Sequence, residues 1–171
     1  MAKQRVLVDT CIIIEAFRIN CWKTLCQNLS VETVQCCVDE CCRGDPLKPG
    51  RVSIPREELV AGLASIHEVS DLMLAKLSLE NDDLPALDDG EFHMMAWLHS
   101  NPSEAILTAI STSDRAAVRA AHVIRLLDQV TSLQELAKMS HVGPKQLGIL
   151  EHHFTEDWLR TLRMQLRMNI L

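Results

Sequence analysis

Four acidic residues stand where chemistry could use them. Asp9 ends the apolar run Val6-Leu7-Val8, and Asp114 follows the hydroxyl-rich Ser111-Thr112-Ser113; Glu40 and Glu91 lie at or near the starts of expected helices. In an open parallel sheet, sites form beyond the carboxyl ends of strands, so the four could converge on one rim. Several carboxylates in one cleft repel each other, and a bound divalent cation is the usual relief. Hard ions such as Mg2+ or Mn2+ take oxygen ligands, activate water and steady charge at a phosphorus centre. The chemistry implied is metal-assisted phosphodiester hydrolysis. Taken singly, an acid at a helix start reads more readily as a cap than as a ligand. Only the set points to a cation.

The elements that must position these acids alternate along the chain. Arg5–Val8 reads as a strand, followed by a helix-compatible stretch from about Cys11 to Asn28; Thr33–Cys37 reads as a second strand. The polar segment 43–50 is a loop, and a helical region starts at Pro55-Arg56-Glu57-Glu58 and extends to about Leu79. Asp88-Asp89-Gly90-Glu91 opens a further helix, with Phe92, Met95, Ala96 and His99 on one face. Ala105–Ile110 reads as a buried strand, Arg115–Ala121 as a helix capped by Asp114, Leu126–Val130 as a short strand and Ser132–Met139 as a helix. Strands alternating with helices predict an α/β fold, a three-layer α/β/α sandwich around a central, mainly parallel sheet. The expected organisation is a domain over residues 1–140 and a helical extension over 141–171, packed on the domain or on a partner. In that extension Thr155 caps a helix with Leu159, Leu162 and Leu166 on one stripe and Arg160, Arg163 and Arg167 on another.

Composition removes several classes. The 171 residues are 47% apolar and 23% charged, the profile of a globular chain. The longest apolar runs fall below the roughly 18 residues of a membrane span. The start reaches Asp9 after three apolar residues, short of a signal-peptide core of about 7–15. A cytoplasmic protein with no membrane partner is therefore expected. The seven cysteines are an odd count, and reduced thiols are the default. Cys36, Cys37, Cys41 and Cys42 lack the paired C-x2-C spacing of a zinc site and read as small core residues. Residues 1–100 carry 9 Lys/Arg against 16 Asp/Glu, whereas 101–171 carry 8 against 7. That balance argues against nucleic-acid binding by bulk charge alone, though not against meeting phosphate through metal ions. The seven histidines are scattered, with no H-E-x-x-H spacing.

Over roughly residues 5–135 the chain resembles the PIN domain, as found in the VapC ribonuclease toxins. The matching pieces are Val6-Leu7-Val8-Asp9-Thr10, then Glu40, then Leu87-Asp88-Asp89-Gly90-Glu91, and Ser111-Thr112-Ser113-Asp114-Arg115-Ala116. The 23-residue step from Glu91 to Asp114 accommodates a helix and a strand. The resemblance implies an endoribonuclease, dependent on Mg2+ or Mn2+, that cuts single-stranded RNA, with an antitoxin protein as partner and a homodimer as assembly. It makes Asp9, Glu91 and Asp114 the metal ligands or water positioners, with Glu40 completing the catalytic set. Thr10 and Ser113 would supply hydroxyls, and Arg43 and Arg115 would touch substrate phosphate. Asp39 competes with Glu40 for the second acid, and Asp88 and Asp89 compete with Glu91 for the third.

The rival reading is a non-catalytic scaffold of the same fold that binds RNA or protein. A phosphatase of the haloacid dehalogenase type needs a second Asp two residues after the first, where this chain has Cys11. No Gly-rich phosphate loop or Ser-His-Asp pattern is present.

Overall fold

The computed structural model describes residues 2–43 and 52–170. Five strands, β1 (Arg5–Val8), β2 (Ser30–Val34), β3 (Ser65–His67), β4 (Ala109–Ser111) and β5 (Val130–Thr131), form one sheet in the order β3-β2-β1-β4-β5. Every pairing is parallel. The helices, in chain order, are α1 (Thr10–Arg18), α2 (Trp22–Asn28), α3 (Gln35–Cys42), α4 (Arg56–Gly62), α5 (Asp71–Glu80), α6 (Asp89–Ser100), α7 (Pro102–Ala105), α8 (Arg115–Val123), α9 (Leu133–Met139), α10 (Pro144–Leu147) and α11 (Glu156–Arg167). The architecture is the expected α/β fold, a sheet layered with helices as an α/β/α sandwich. None of these helices is long and apolar enough to cross a membrane.

The sheet core reads directly from the strands. Val6, Leu7 and Val8 of β1 are almost wholly buried, as expected for a central parallel strand covered on both faces. Glu32, buried in β2, is matched by the Arg5 guanidinium at 2.7 Å and by His67 at 2.8 Å, which hold its carboxyl below the usual range against the cost of burial.

Several expected elements shift. The stretch 11–28 is two helices, because Asn20 takes the left-handed conformation (φ 56°) after α1 and turns the chain. The second strand occupies Ser30–Val34, and Gln35–Cys37 belong to α3. The region 55–79 contains a strand, β3, between α4 and α5. Residues 105–108 are not strand: α7 ends at Ala105 and β4 begins at Ala109. Leu127–Gln129 form a 3-10 turn before β5. The loop expected at 43–50 lies, from residue 44 onward, outside the described residues.

The C-terminal segment is continuous with the core. Leu159, Leu162 and Leu166 of α11 are buried in the same apolar cluster as β1 and α8, and α11 packs against α8 and α9. Its arginines spend their charge within the chain: Arg160 pairs with Asp157, Arg167 with Asp128, and Arg163 donates to the Val130 carbonyl. Arg163 also shares a groove with Gln4 and Ala109, at the amino ends of β1 and β4, the end of the sheet opposite Asp9.

Candidate functional site

The strand order places the switch in chain direction between β1 and β4, because β1 is followed by β2 on one side and flanked by β4 on the other. The register Val6–Ala109, Leu7–Ile110, Val8–Ser111 carries the two chains out of the sheet together, and the Asp9 N–H donates to the Ser111 carbonyl at 3.2 Å. Asp9 and Asp114 thus leave adjacent strands on the same rim.

Both aspartates are helix caps. Asp9 Oδ1 accepts from Ile12 N at 2.8 Å at the start of α1, and Asp114 Oδ1 accepts from Ala116 N at 2.6 Å and Ala117 N at 3.1 Å at the start of α8. The capping bonds fix each carboxylate against its helix. Asp9 is 1% exposed, yet its Oδ2 has no hydrogen-bond partner among the described residues. A buried carboxylate oxygen with no partner is costly to keep charged. Accordingly burial, with a further push from Asp114, raises the Asp9 carboxyl to about 6, although the nearby Thr112 hydroxyl and the Ile12 amide pull it down.

Glu91, on the first turn of α6, is the member of the Asp88, Asp89, Glu91 group that turns inward: it is buried, while Asp88 and Asp89 are exposed. Burial and the charges of Asp114 and Asp9 push its carboxyl up to about 8. The Cys11 thiol, raised first by desolvation, also feels Asp9, Glu91 and Asp114 together. The three acids therefore share one field. Asp9, Thr10, Cys11, Glu40, Leu87, Asp88, Asp89 and Glu91 line a cleft of about 420 Å³.

The remaining expected residues are placed as follows. Glu40, rather than Asp39, faces this cleft; Asp39 turns away to Arg56 (3.2 Å) and Gln35 (3.0 Å). Thr10 Oγ1 donates to Glu40 Oε2 at 2.5 Å, and the Gly90 N–H donates to Glu40 Oε1 at 3.0 Å. Ser113 is buried beside Asp114, but Thr112 is the hydroxyl that meets the acids: its Oγ1 accepts from Asp114 N at 3.1 Å and lies near Asp9. Sequence reasoning passed over Thr112; its signal was its place directly after β4, level with Asp9 after β1. Arg43 and Arg115 are both exposed, Arg115 immediately after Asp114 and Arg43 at the end of α3. Cys11 is exposed, Cys21, Cys37 and Cys41 are buried, and all seven cysteines are free.

Among the described residues, no group of three or more His, Cys, Asp or Glu side chains is placed to hold a metal ion. The donor set still suits a hard cation. Mg2+ keeps several of its waters and is commonly held by one or two carboxylates together with substrate phosphate. Asp9 Oδ2, buried and unpartnered, offers the oxygen such an ion lacks.

Gly90 is a tightly packed position. A Cβ there would lie 2.5 Å from Glu40 Oε2 and 3.0 Å from Cys37 Sγ. In an open helix, Gly→Ala gains up to about 1 kcal/mol. Here Gly90→Ala is expected to lose roughly 1–3 kcal/mol through overpacking, read as a lower denaturant midpoint at unchanged m-value. A gain in stability would show that the contact yields freely.

Comparisons of the chain with protein-family models, with curated proteins and with solved structures find no match. The functional reading therefore rests on the residues and their geometry.

Proposed function

We propose that this protein is a metal-dependent endoribonuclease that hydrolyses phosphodiester bonds in single-stranded RNA, with Mg2+ or Mn2+ served by Asp9, Glu91 and Asp114, directly or through its bound waters. One observation carries the reading: a buried, unpartnered carboxylate oxygen on Asp9, at the switch point of a parallel sheet, where the Asp114 charge acts on Asp9 and both charges act on Glu91. The cation, when bound, supplies charge neutralisation and an activated water. The chain's own groups do the rest. The cap bonds from Ile12, Ala116 and Ala117 hold the two aspartates in fixed orientation. The amino ends of α1 and α8 direct partial positive charge at the cleft rim, where a phosphate would sit. Arg115, exposed beside Asp114, is available to a phosphate oxygen.

The PIN-like resemblance supports the same reading and extends it to cytoplasmic RNA, an antitoxin partner and a homodimer. The direct test incubates the protein with a labelled single-stranded RNA and Mn2+, with and without EDTA. Cleavage that EDTA abolishes supports the proposal; no cleavage across a panel of RNA sequences, or cleavage indifferent to EDTA, opposes it.

Metal binding should also be linked to protons. Asp9 and Glu91 hold protons up to about pH 6 and 8, so the cation must displace them. Mn2+ affinity is expected to rise from pH 5 to pH 8, through both carboxylates below about pH 6 and through Glu91 above it, by up to about tenfold per pH unit for each proton displaced. Calorimetry in buffers of different ionisation enthalpy should register that release. Affinity flat across this range, with no proton release, would count against these two carboxylates as ligands.

A further inference from the structure

We infer that Glu40 is a positioning residue, a latch between helices, and not a cation ligand. The inference rests on the proposed cation site, but its evidence is separate. Asp88 is the N-cap of α6, yet its side chain makes no cap hydrogen bond. The first turn of a helix nevertheless leaves N–H groups that need acceptors. Glu40 of α3 supplies one from outside the helix, accepting from Gly90 N at 3.0 Å through Oε1. A negative charge at a helix amino end is favourable in itself. The other oxygen, Oε2, accepts from Thr10 Oγ1 at 2.5 Å on the first turn of α1, and Cys36 Sγ lies 3.9 Å from Oε1 as a further weak donor.

Each oxygen thus already accepts a hydrogen bond, and the groups they hold are neighbours in sequence of the proposed ligands. Thr10 follows Asp9, and Gly90 precedes Glu91. Glu40 ties the start of α1 to the start of α6 and so fixes the separation of those two carboxylates. Gly90 is part of the device, because any side chain there would collide with Glu40 Oε2. A ligand role would add a cation to oxygens that each already accept a hydrogen bond, whereas the latch needs these bonds alone.

The two roles separate under substitution. In Glu40→Gln the amide oxygen can accept from Gly90 and the amide nitrogen can donate to the Thr10 hydroxyl, which turns to accept; the charge is lost but the latch is kept. Metal-free protein would be followed by thermal melting, and Mn2+ binding by electron paramagnetic resonance, for wild type, Glu40→Gln, Glu40→Ala, Thr10→Ser, Thr10→Val and Asp9→Asn. The latch predicts that Glu40→Gln and Thr10→Ser stay within about threefold of wild type in Mn2+ affinity, whereas Glu40→Ala and Thr10→Val lose about tenfold or more and melt lower. It also predicts that the Glu40→Ala, Thr10→Val pair lowers the metal-free melting temperature by less than the sum of the single variants. Glu40→Gln falling as far as Asp9→Asn in Mn2+ affinity, with melting unchanged, would overturn the inference and make Glu40 a ligand. Additive melting shifts would overturn it as well. If wild type binds no Mn2+, the proposed function fails, and the metal-free melting series still decides the latch. Should Glu40→Ala fail to fold, Glu40→Gln and the Thr10 variants carry the decision.

Discussion

Asp9→Asn is expected to stabilise the metal-free protein at pH 8 while reducing divalent-dependent RNA cleavage by roughly 10³-fold. Both effects have one origin. The Asp9 carboxyl is raised to about 6 in the fold, mainly by burial. An unfolded Asp ionises near 3.9, so between about pH 4 and pH 6 the folded state holds more protons than the unfolded one. Stability therefore falls as pH rises through that window, by about 3 kcal/mol for a shift of this size. Glu91, raised to about 8, extends the decline upward. Asparagine carries no charge to desolvate and caps α1 as well as aspartate does, so the substitution removes the cost and keeps the bond to Ile12 N. Wild-type melting temperature without metal should drop from pH 5 to pH 8, and that of Asp9→Asn should drop less. Excess Mn2+ should restore the wild type and leave the variant unmoved. A metal-free variant less stable than wild type at pH 8 would mean that the Asp9 charge is already compensated within the chain.

The second large effect concerns the carboxyl-terminal segment. Leu162 of α11 is 2% exposed and belongs to the same core cluster as β1, α8 and α9. Leu162→Ala should cost about 2–5 kcal/mol, which lowers the melting temperature by roughly 4–20 °C for a chain of this size. The transition should remain single, because the helix shares its core with the sheet rather than forming a body of its own. Two transitions, or a loss below about 1 kcal/mol, would show that residues 141–171 fold as an appendage. The arginine stripe on this helix was readable from sequence, but its destination was not. Spacing places Arg160, Arg163 and Arg167 on one face and Asp157 three residues before Arg160, whereas the bonds of Arg163 to the Val130 carbonyl and of Arg167 to Asp128 depend on tertiary packing.

The same distinction runs through the whole chain. The layered α/β plan was legible because buried strands such as Val6-Leu7-Val8 and capped helices such as Ser132–Met139 announce themselves locally. β3 was not, since three half-buried residues between two helices carry no readable period. Ala105–Thr108 looked like strand from its apolar run, yet Pro102 at a helix start wins the preceding residues for α7. Among the acids, Asp9 and Asp114 were legible from strand ends. The roles of Glu40 and Thr112 were not, because each depends on a partner dozens of residues away, Gly90 in one case and Asp9 in the other. Gly90 itself stood in a recognisable Gly-Glu pair, but its purpose, leaving room for Glu40, appears only when α3 meets α6.

The central claim is that Asp9, Glu91 and Asp114 serve a single divalent cation, and anomalous diffraction from a crystal soaked in Mn2+ reads it most directly. The account requires one strong peak in the cleft beside Asp9 Oδ2, within direct or one-water reach of the Glu91 and Asp114 carboxylates, and its disappearance in Asp9→Asn. An empty cleft at millimolar Mn2+, or a peak held by other residues, would contradict it.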